Sequence, residues 1–120
     1  MTVVNGADLR FVDLPGRRAA DPLRGVEASS SLRIVELVRT EGRALHRHPW
    51  SEEVIYVEAG RGRVWIDDDW YPVSTGDTVR VPAGSAHATL PDDGVEMRLI
   101  CFFPHPDLAT NNEDTDITVH

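Results

Sequence analysis

The chain has little of three things: cysteine, basic side chains relative to acidic ones, and long apolar segments. Its single cysteine, Cys101, excludes an internal disulfide. Twelve basic against twenty acidic side chains give a formal net charge of -8, which repels nucleic acid and anionic membrane surfaces. No apolar run approaches the length that spans a bilayer, and the first residues lack the basic and apolar regions of a secretion signal. We therefore expect a cytoplasmic protein with neither a nucleic-acid nor a membrane partner.

The apolar pattern also lacks a sustained helical period, and its dominant period is two residues. A chain of 120 residues with 41% hydrophobic content is long enough for one domain with a modest core. Short segments rich in β-branched and aromatic residues, separated by turn-forming residues, predict strands. These segments are residues 31–40, 53–59, 63–67, 77–82 and 96–103. Closely spaced strands of this kind predict an all-β antiparallel sandwich or barrel.

The two ends of the chain differ from this central region. Residues 1–30 predict an N-terminal arm with a short strand at residues 9–13, and residues 31–104 form the predicted barrel. Residues 105–120 are polar and acidic, so we expect a loosely ordered C-terminal tail.

Two histidines one residue apart, His46 and His48, stand just before a predicted strand. In an extended chain they project from the same face, an arrangement that a divalent metal can use. Glu53 alternates with Ile55 and Val57, so its carboxylate lies on an otherwise apolar face. A carboxylate in that position needs a charged partner or a bound cation.

A third histidine, His87, follows a turn that Pro82 and Gly84 can build. Together with His46, His48 and Glu53 it provides three neutral imidazoles and one carboxylate. Such a set suits a first-row divalent metal that keeps open positions for water or substrate.

At these residues the sequence resembles the cupin family. Residues 42–60, GRALHRHPWSEEVIYVEAG, are close to the first cupin motif, with its glycine, its HxH pair, its glutamate and its closing glycine. Residues 76–87, GDTVRVPAGSAH, are similar to the second motif, although Pro91 stands where that motif usually has an asparagine.

The resemblance implies a single-domain jelly-roll barrel, the double-stranded β-helix of cupins, that assembles as a homodimer. It also implies one divalent ion, Mn, Fe, Ni or Zn, in the mouth of the barrel. Matched residue by residue to the two motifs, the metal ligands are His46, His48, Glu53 and His87.

Arg80 is the candidate substrate-binding residue, and its orientation is open. If it points inward between the sheets, its guanidinium can bind a substrate carboxylate or enolate through two hydrogen bonds. If it points outward, it is a solvated arginine. Arg33 and Arg98 have the same ambiguity, because period two alone does not say which face is the cavity.

Other polar residues have simpler interpretations. Tyr56 alternates away from Glu53 and should leave the metal face, and Cys101 is expected to be a buried small hydrophobe rather than a reactive thiol. His105 is expected at the rim rather than as a fifth ligand. The acidic run 67–69 lacks the spacing of a calcium loop and predicts a tight hairpin turn.

Two functions of different classes are compatible with these residues. The first is a metal-dependent enzyme for a small oxygenated metabolite, in which the ion acts as a Lewis acid or, if it is iron, activates dioxygen. The second is a non-catalytic small-molecule binding or sensing module. The chain contains no predicted effector domain that could report a ligand, which favours the enzyme, and the fold alone does not choose the reaction.

Overall fold

A computed structural model describes residues 1–38 and 41–120, which form eleven strands and a 3-10 turn at Gly6–Asp8. Residues 39 and 40, at the end of the first predicted barrel strand, lie outside the described residues. None of the described residues belongs to a helix that is long and apolar enough to cross a membrane. The strands are β1 (Val12–Leu14), β2 (Arg17–Ala20), β3 (Ser31–Leu37), β4 (Arg43–Arg47), β5 (Glu53–Ala59), β6 (Arg61–Ile66), β7 (Asp69–Ser74), β8 (Thr78–Val81), β9 (His87–Pro91), β10 (Met97–Phe103) and β11 (Glu113–Val119).

The strands form two antiparallel sheets. The six-stranded sheet has the order β1-β2-β3-β10-β5-β8, and the five-stranded sheet has the order β11-β4-β9-β6-β7. From β3 to β5 and from β8 to β11, each strand lies in the other sheet from the strand before it, as in a jelly roll. The predicted fold, a single all-β jelly-roll domain, is confirmed.

The inner faces of the two sheets pack on each other because side chains alternate along each strand. In β5, Ile55 and Val57 are buried, whereas Val54 and Tyr56, which alternate with them, are more exposed. Burial of one such aliphatic side chain contributes about 1.5–3 kcal/mol to stability. The apolar core consists of Ala19, Val35, Leu37, Ile55, Val57, Val64, Ile66, Val73, Val81, Met97, Leu99, Cys101 and Phe103.

The acidic run at residues 67–69 builds the hairpin between β6 and β7. Ile66 pairs with Asp69, which leaves a loop of two residues, Asp67 and Asp68. Both have positive φ angles, 52° and 67°, the combination that a type I′ turn requires. The hairpin interpretation is therefore confirmed.

Both ends of the chain belong to the sheets, which corrects two expectations. The arm contains β1, which begins at Val12 rather than residue 9, and also β2, which pairs with β3 and places Ala19 opposite Val35. The expectation of a loosely ordered tail is wrong, because β11 pairs with β4 at residues 113–114 and 118–119, on either side of an irregularity in the register. The added strands give hydrogen-bond partners to backbone groups at the edges of the barrel strands.

The five predicted barrel strands correspond to β3, β5, β6, β8 and β10, with small differences at their ends. The composition pattern does not predict β7, which is mostly exposed and contains Pro72. This strand lies at the edge of its sheet, where a proline does not remove a needed ladder hydrogen bond.

Candidate metal centre

Three strands bring His46, His48, Glu53 and His87 together. His46 of β4 is paired in register with His87 of β9, Glu53 begins β5, and His48 follows the end of β4. The ring centroids of His46 and His87 are 4.4 Å apart, and that of His48 is 5.2 Å from each of them. One nitrogen or oxygen atom from each side chain lies within 4.8 Å of those of the other three. This separation is slightly more than twice the usual ligand distance of about 2.0–2.2 Å, so the four side chains could hold one metal ion.

Backbone carbonyl groups orient two of the three imidazoles. The Nδ1 atom of His48 lies 2.7 Å from the carbonyl oxygen of Asn111, and that of His87 lies 2.9 Å from the carbonyl oxygen of Ser85. Because a carbonyl oxygen can only accept, Nδ1 carries the proton in both rings and donates it. In a neutral ring this leaves a lone pair on Nε2. Anchoring of this kind is typical of metal-binding histidines.

Both Nε2 atoms face the same carboxylate oxygen. Glu53 Oε1 lies 2.7 Å from Nε2 of His87 and 3.2 Å from Nε2 of His48, and all three side chains are almost fully buried. The 3.2 Å contact is not aligned as a hydrogen bond. Within the part of the chain that the structure describes, the buried Nε2 of His48 thus has no hydrogen-bond partner. If both rings are neutral, two Nε2 lone pairs face the same carboxylate oxygen and repel it. Protons or a cation between the ring nitrogens and the carboxylate remove this repulsion. The residues therefore fit a divalent cation.

Electrostatics sets the charge states that such a cation needs. Burial by itself raises the pKa of Glu53, but the contacts with His48 and His87 outweigh it and hold the pKa of this carboxyl well below its usual range. The pKa of His46 lies well below its ordinary value because the ring is buried and because His87 is next to it. At neutral pH Glu53 is therefore ionised and His46 is neutral, the forms that bind a metal.

A residue from the tail, Asn111, supports this cluster, and the sequence pattern did not reveal it. Asn111 is 0% exposed. Besides the contact of its carbonyl with His48, its side-chain Oδ1 accepts a hydrogen bond from the backbone N–H of Trp50 at 2.8 Å. Its Nδ2 donates to Ser51 Oγ at 2.9 Å. The tail thus fixes both the ring of His48 and the loop that follows it.

The four side chains line a cavity of about 460 Å³ between the sheets. A space of this size is typical of sites for small molecules. Val35, Ile55, Leu99 and Phe103 provide apolar wall. The polar lining outside the metal cluster includes Arg17, Arg33, Arg43, Thr89, Asn112 and Asp114.

Of the arginines whose orientation was open, only Arg33 lines this cavity. It is opposite Cys101 in the register of β3 and β10, and its guanidinium donates to both carboxylate oxygens of Asp21, at 2.7 and 3.1 Å. Arg98 lies on the other face of the sheet, where it forms ion pairs with Glu36 and Glu58.

Arg80 does not belong to the cavity, which corrects its proposed role in substrate binding. In the register of β5 and β8 it is opposite Val54, one position away from the Glu53–Val81 pair, and it therefore faces outward. Its side chain is 62% exposed and donates from Nε to Glu52 Oε1 at 2.9 Å.

The outer positions of Tyr56 and His105 agree with the expectations for them. Tyr56 is 44% exposed and points away from the metal cluster. The Nδ1 atom of His105 accepts a hydrogen bond from the backbone N–H of Asp107 at 3.1 Å, in the turn after β10. His105 is not among the residues of the cluster.

Comparisons with known proteins agree with this architecture. The family model described as Cupin domain matches residues 33–103, and the chain belongs to the cupin family. Protein SchB of Streptomyces halstedii is 34% identical over 98% of this chain and 95% of its own length.

Two solved structures show the same fold. Pac13 from Streptomyces, described as a nucleoside dehydratase, is 14% identical with a TM-score of 0.79, over 96% of this chain and 91% of its own. Oxalate decarboxylase from Lactobacillus farciminis is 21% identical with a TM-score of 0.77, over 90% of this chain. The match spans 34% of the decarboxylase. At these identities the likeness concerns the fold.

Proposed function

We propose that this chain is a metal-dependent enzyme that acts on a small oxygenated molecule. In this proposal His46, His48, Glu53 and His87 hold one divalent ion. The supporting observation is that two buried Nε2 atoms converge on Glu53 Oε1 beside an open cavity. Mixed nitrogen and oxygen donors do not select strongly among Mn, Fe, Ni and Zn, so the ion's identity stays open.

Each part of the site has a separate task. A divalent ion bound there supplies Lewis-acid chemistry toward an oxygen atom of the substrate. The backbone carbonyls of Ser85 and Asn111 keep the protons of two rings on Nδ1, so that Nε2 stays available. The apolar wall formed by Ile55, Leu99 and Phe103 excludes water and strengthens electrostatic interactions with the substrate.

The two structural neighbours support a reaction on a small oxygenated molecule, since one is described as a nucleoside dehydratase and the other as an oxalate decarboxylase. The alternative is a non-catalytic module that binds or senses a small molecule in the same pocket. Turnover of a substrate distinguishes them, because a binding module leaves its ligand unchanged.

The test compares two adjacent carboxylates, Glu53 in the cluster and Glu52 on the outer face. Wild type, Glu53→Gln and Glu52→Gln are purified, their metal content is measured, and each is incubated with a panel of enols, diketones and hydroxy acids under air. Oxygen consumption and mass spectrometry of the products provide the readout. We expect metal and turnover in wild type and Glu52→Gln, and loss of both in Glu53→Gln.

Metal without turnover of any compound would favour the binding module. Equal metal content in the two variants would contradict the ligand set. The comparison controls for charge, because each variant removes one carboxylate and the two carboxylates belong to adjacent residues.

We also propose a homodimer, with the outer face of the six-stranded sheet as the contact. Leu32, Ile34 and Ile100 are half-buried on this face, and Phe102 is 42% exposed. Exposed apolar sheet faces favour association. Light scattering after size-exclusion chromatography tests this, and a monomer at micromolar concentration would contradict it. The cytoplasmic location expected from the sequence stays a prediction.

A further inference from the structure

Guanidinium groups from both sheets reach the cavity. Arg17 of β2 and Arg33 of β3 belong to the six-stranded sheet, and Arg43 of β4 belongs to the five-stranded sheet. Arg17 is opposite Leu37 in the register of β2 and β3, so it shares the inward face of that buried residue. The chain carries a formal net charge of -8, yet its cavity is lined by three arginines against the carboxylates of Glu53 and Asp114.

These three arginines differ in whether a carboxylate neutralises the guanidinium charge. Arg33 is held by both oxygens of Asp21. Among the hydrogen bonds of the described residues, Arg17 and Arg43 donate to backbone carbonyls, of Pro15 at 3.3 Å and of Thr89 at 3.1 Å. Among the ion pairs of residues 1–38 and 41–120, neither guanidinium has a carboxylate partner. Both guanidinium groups are partly buried. A cation that is partly withdrawn from water without an anionic partner is unfavourable, so an anion in the cavity would be stabilising.

The positive charges also oppose each other. Burial lowers the pKa of Arg43 to about 10, and the charge of Arg17 adds to this shift. The pKa of Arg17 is likewise lowered, first by burial and then by Arg33, while Asp114 opposes the shift. Because a guanidinium still keeps its proton at neutral pH, this repulsion persists until an anion binds.

We propose that the cavity binds a small organic carboxylate, whose two oxygens contact the guanidinium groups of Arg17 and Arg43. A carboxylate matches the planar fork of a guanidinium through paired hydrogen bonds. The carbon skeleton packs on the apolar wall, and a second oxygen of the molecule faces the metal cluster. This inference rests on the proposed function for the identity of the site and specifies the class of its substrate.

The test measures binding of malonate, and of its neutral analogue malonamide, by isothermal titration calorimetry. It uses protein as purified and protein freed of metal by a chelator and dialysis, with metal content measured on both samples. We expect malonate to bind the metal-free protein and malonamide to bind at least about tenfold more weakly. Malonate affinity should also fall as sodium chloride is raised.

Substitutions of single arginines identify which guanidinium groups bind malonate. Arg43→Gln and Arg17→Gln should each weaken malonate binding by about tenfold. The matched control Arg80→Gln removes a guanidinium from the outer face and should change affinity by less than about twofold. Arg43→Lys keeps the positive charge but lacks the planar donor pair of a guanidinium, so it should bind malonate with intermediate affinity. If Arg43→Gln does not fold, Arg43→Lys takes its place in the test.

Malonate binding no tighter than malonamide binding, including absence of binding by both, would overturn the inference. So would an equal loss in Arg80→Gln. Failure of the proposed metal site gives a different result, namely no metal in the purified protein while malonate binding to the metal-free sample persists.

Discussion

Two regions of the chain contribute different parts of the site. One is the barrel that matches the cupin model, residues 33–103, and the other consists of the flanking arm and tail. The barrel supplies all four candidate ligands together with Arg33 and Arg43. The flanks supply Arg17, Asp114 and Asn111, which line the cavity or hold His48. A motif therefore locates the candidate metal centre, whereas its surroundings come from both regions: Arg33 and Arg43 from the barrel, and Arg17, Asp114 and Asn111 from the flanks.

The flanks can do this because they are built into the sheets. In β2 the side chains of Ala19 and Ala20 are buried, and β11 covers the edge of β4 next to His46, whose partner in register is Asp114. The similarity to SchB extends over 98% of the chain and so includes both flanks. The arm and tail thus form one domain with the barrel.

The largest effect is expected from removing two candidate ligands supplied by the barrel. The double variant His48→Ala, His87→Ala should reduce bound metal from about one ion per chain to below about 0.1, because only His46 and Glu53 remain. Elemental analysis of the purified protein measures this. The control is His105→Ala, which removes a histidine outside the cluster and should keep full metal content. A double variant with wild-type metal content would refute the ligand assignment.

The next effect comes from the tail. Asn111→Ala removes the side-chain bonds to Trp50 and Ser51 and leaves a small cavity at a fully buried position, so we expect a loss of about 2–3 kcal/mol in unfolding free energy. Because the carbonyl that anchors His48 becomes less well fixed, metal affinity should fall about tenfold.

Urea denaturation and metal titration measure the two effects of Asn111→Ala. The adjacent, exposed Asn112 gives the matched control, and Asn112→Ala should lose less than about 0.5 kcal/mol. If the two variants behaved alike, the tail would not support the metal centre.

The pH dependence of the metal-free protein should give a smaller, graded effect. The lowered pKa of His46 means that the unfolded chain binds this proton more readily than the folded one. Stability should then fall as the pH drops below about 6.5, by up to about 1.4 kcal/mol per pH unit from this residue. Glu53 acts in the same direction below its unfolded pKa of about 4.5, because its folded pKa is lowered.

Urea unfolding between pH 5 and 7.5 checks the contribution of His46. In His46→Asn the unfolding free energy should depend less steeply on pH over this range. The decrease should correspond to the uptake of up to one proton fewer on unfolding. An unchanged slope would show that His46 does not titrate differently in the folded and unfolded chains.

The smallest effect is expected in the two-residue turn between β6 and β7. Asp68 has a φ of 67°, which glycine adopts without strain, and Asp-Gly is a favoured pair for a type I′ turn. Asp68→Gly should raise stability by about 0.5 kcal/mol, since relief of backbone strain exceeds the added freedom of the unfolded chain. Thermal unfolding measures the change, and a loss of more than about 0.5 kcal/mol would indicate another role for Asp68.

Five barrel strands, β3, β5, β6, β8 and β10, could be predicted because alternation reports burial directly, as in β5 with Glu53, Ile55 and Val57. The pattern does not predict β4, β7 and β9. Of the flanking strands, β1 overlaps the strand predicted at residues 9–13, whereas β2 and β11 could not be predicted, because their backbone pairing follows from edges that only the folded barrel creates. The acidic sequence of β11 gives no apolar alternation, and its strand conformation depends on β4.

The same distinction applies to the site. The spacing of His46 and His48 indicates a shared face, the apolar alternation around Glu53 indicates a carboxylate that needs a cation, and the turn before His87 adds a third imidazole. The motif resemblance assigns the same four residues as ligands. Whether an arginine lines the cavity depends on strand register and on side-chain reach, neither of which is local in sequence. Arg80 and Arg43 both lie in or beside apolar strand patterns, yet only Arg43 lines the cavity.

The most direct test of the metal centre is a crystal structure with anomalous difference maps collected at the absorption edge of the metal that elemental analysis identifies. We expect one peak per chain at about 2.0–2.2 Å from the ligand atoms of His46, His48, Glu53 and His87. A metal-loaded crystal whose only peak lies elsewhere, or a peak that excludes two or more of these side chains, would contradict this expectation.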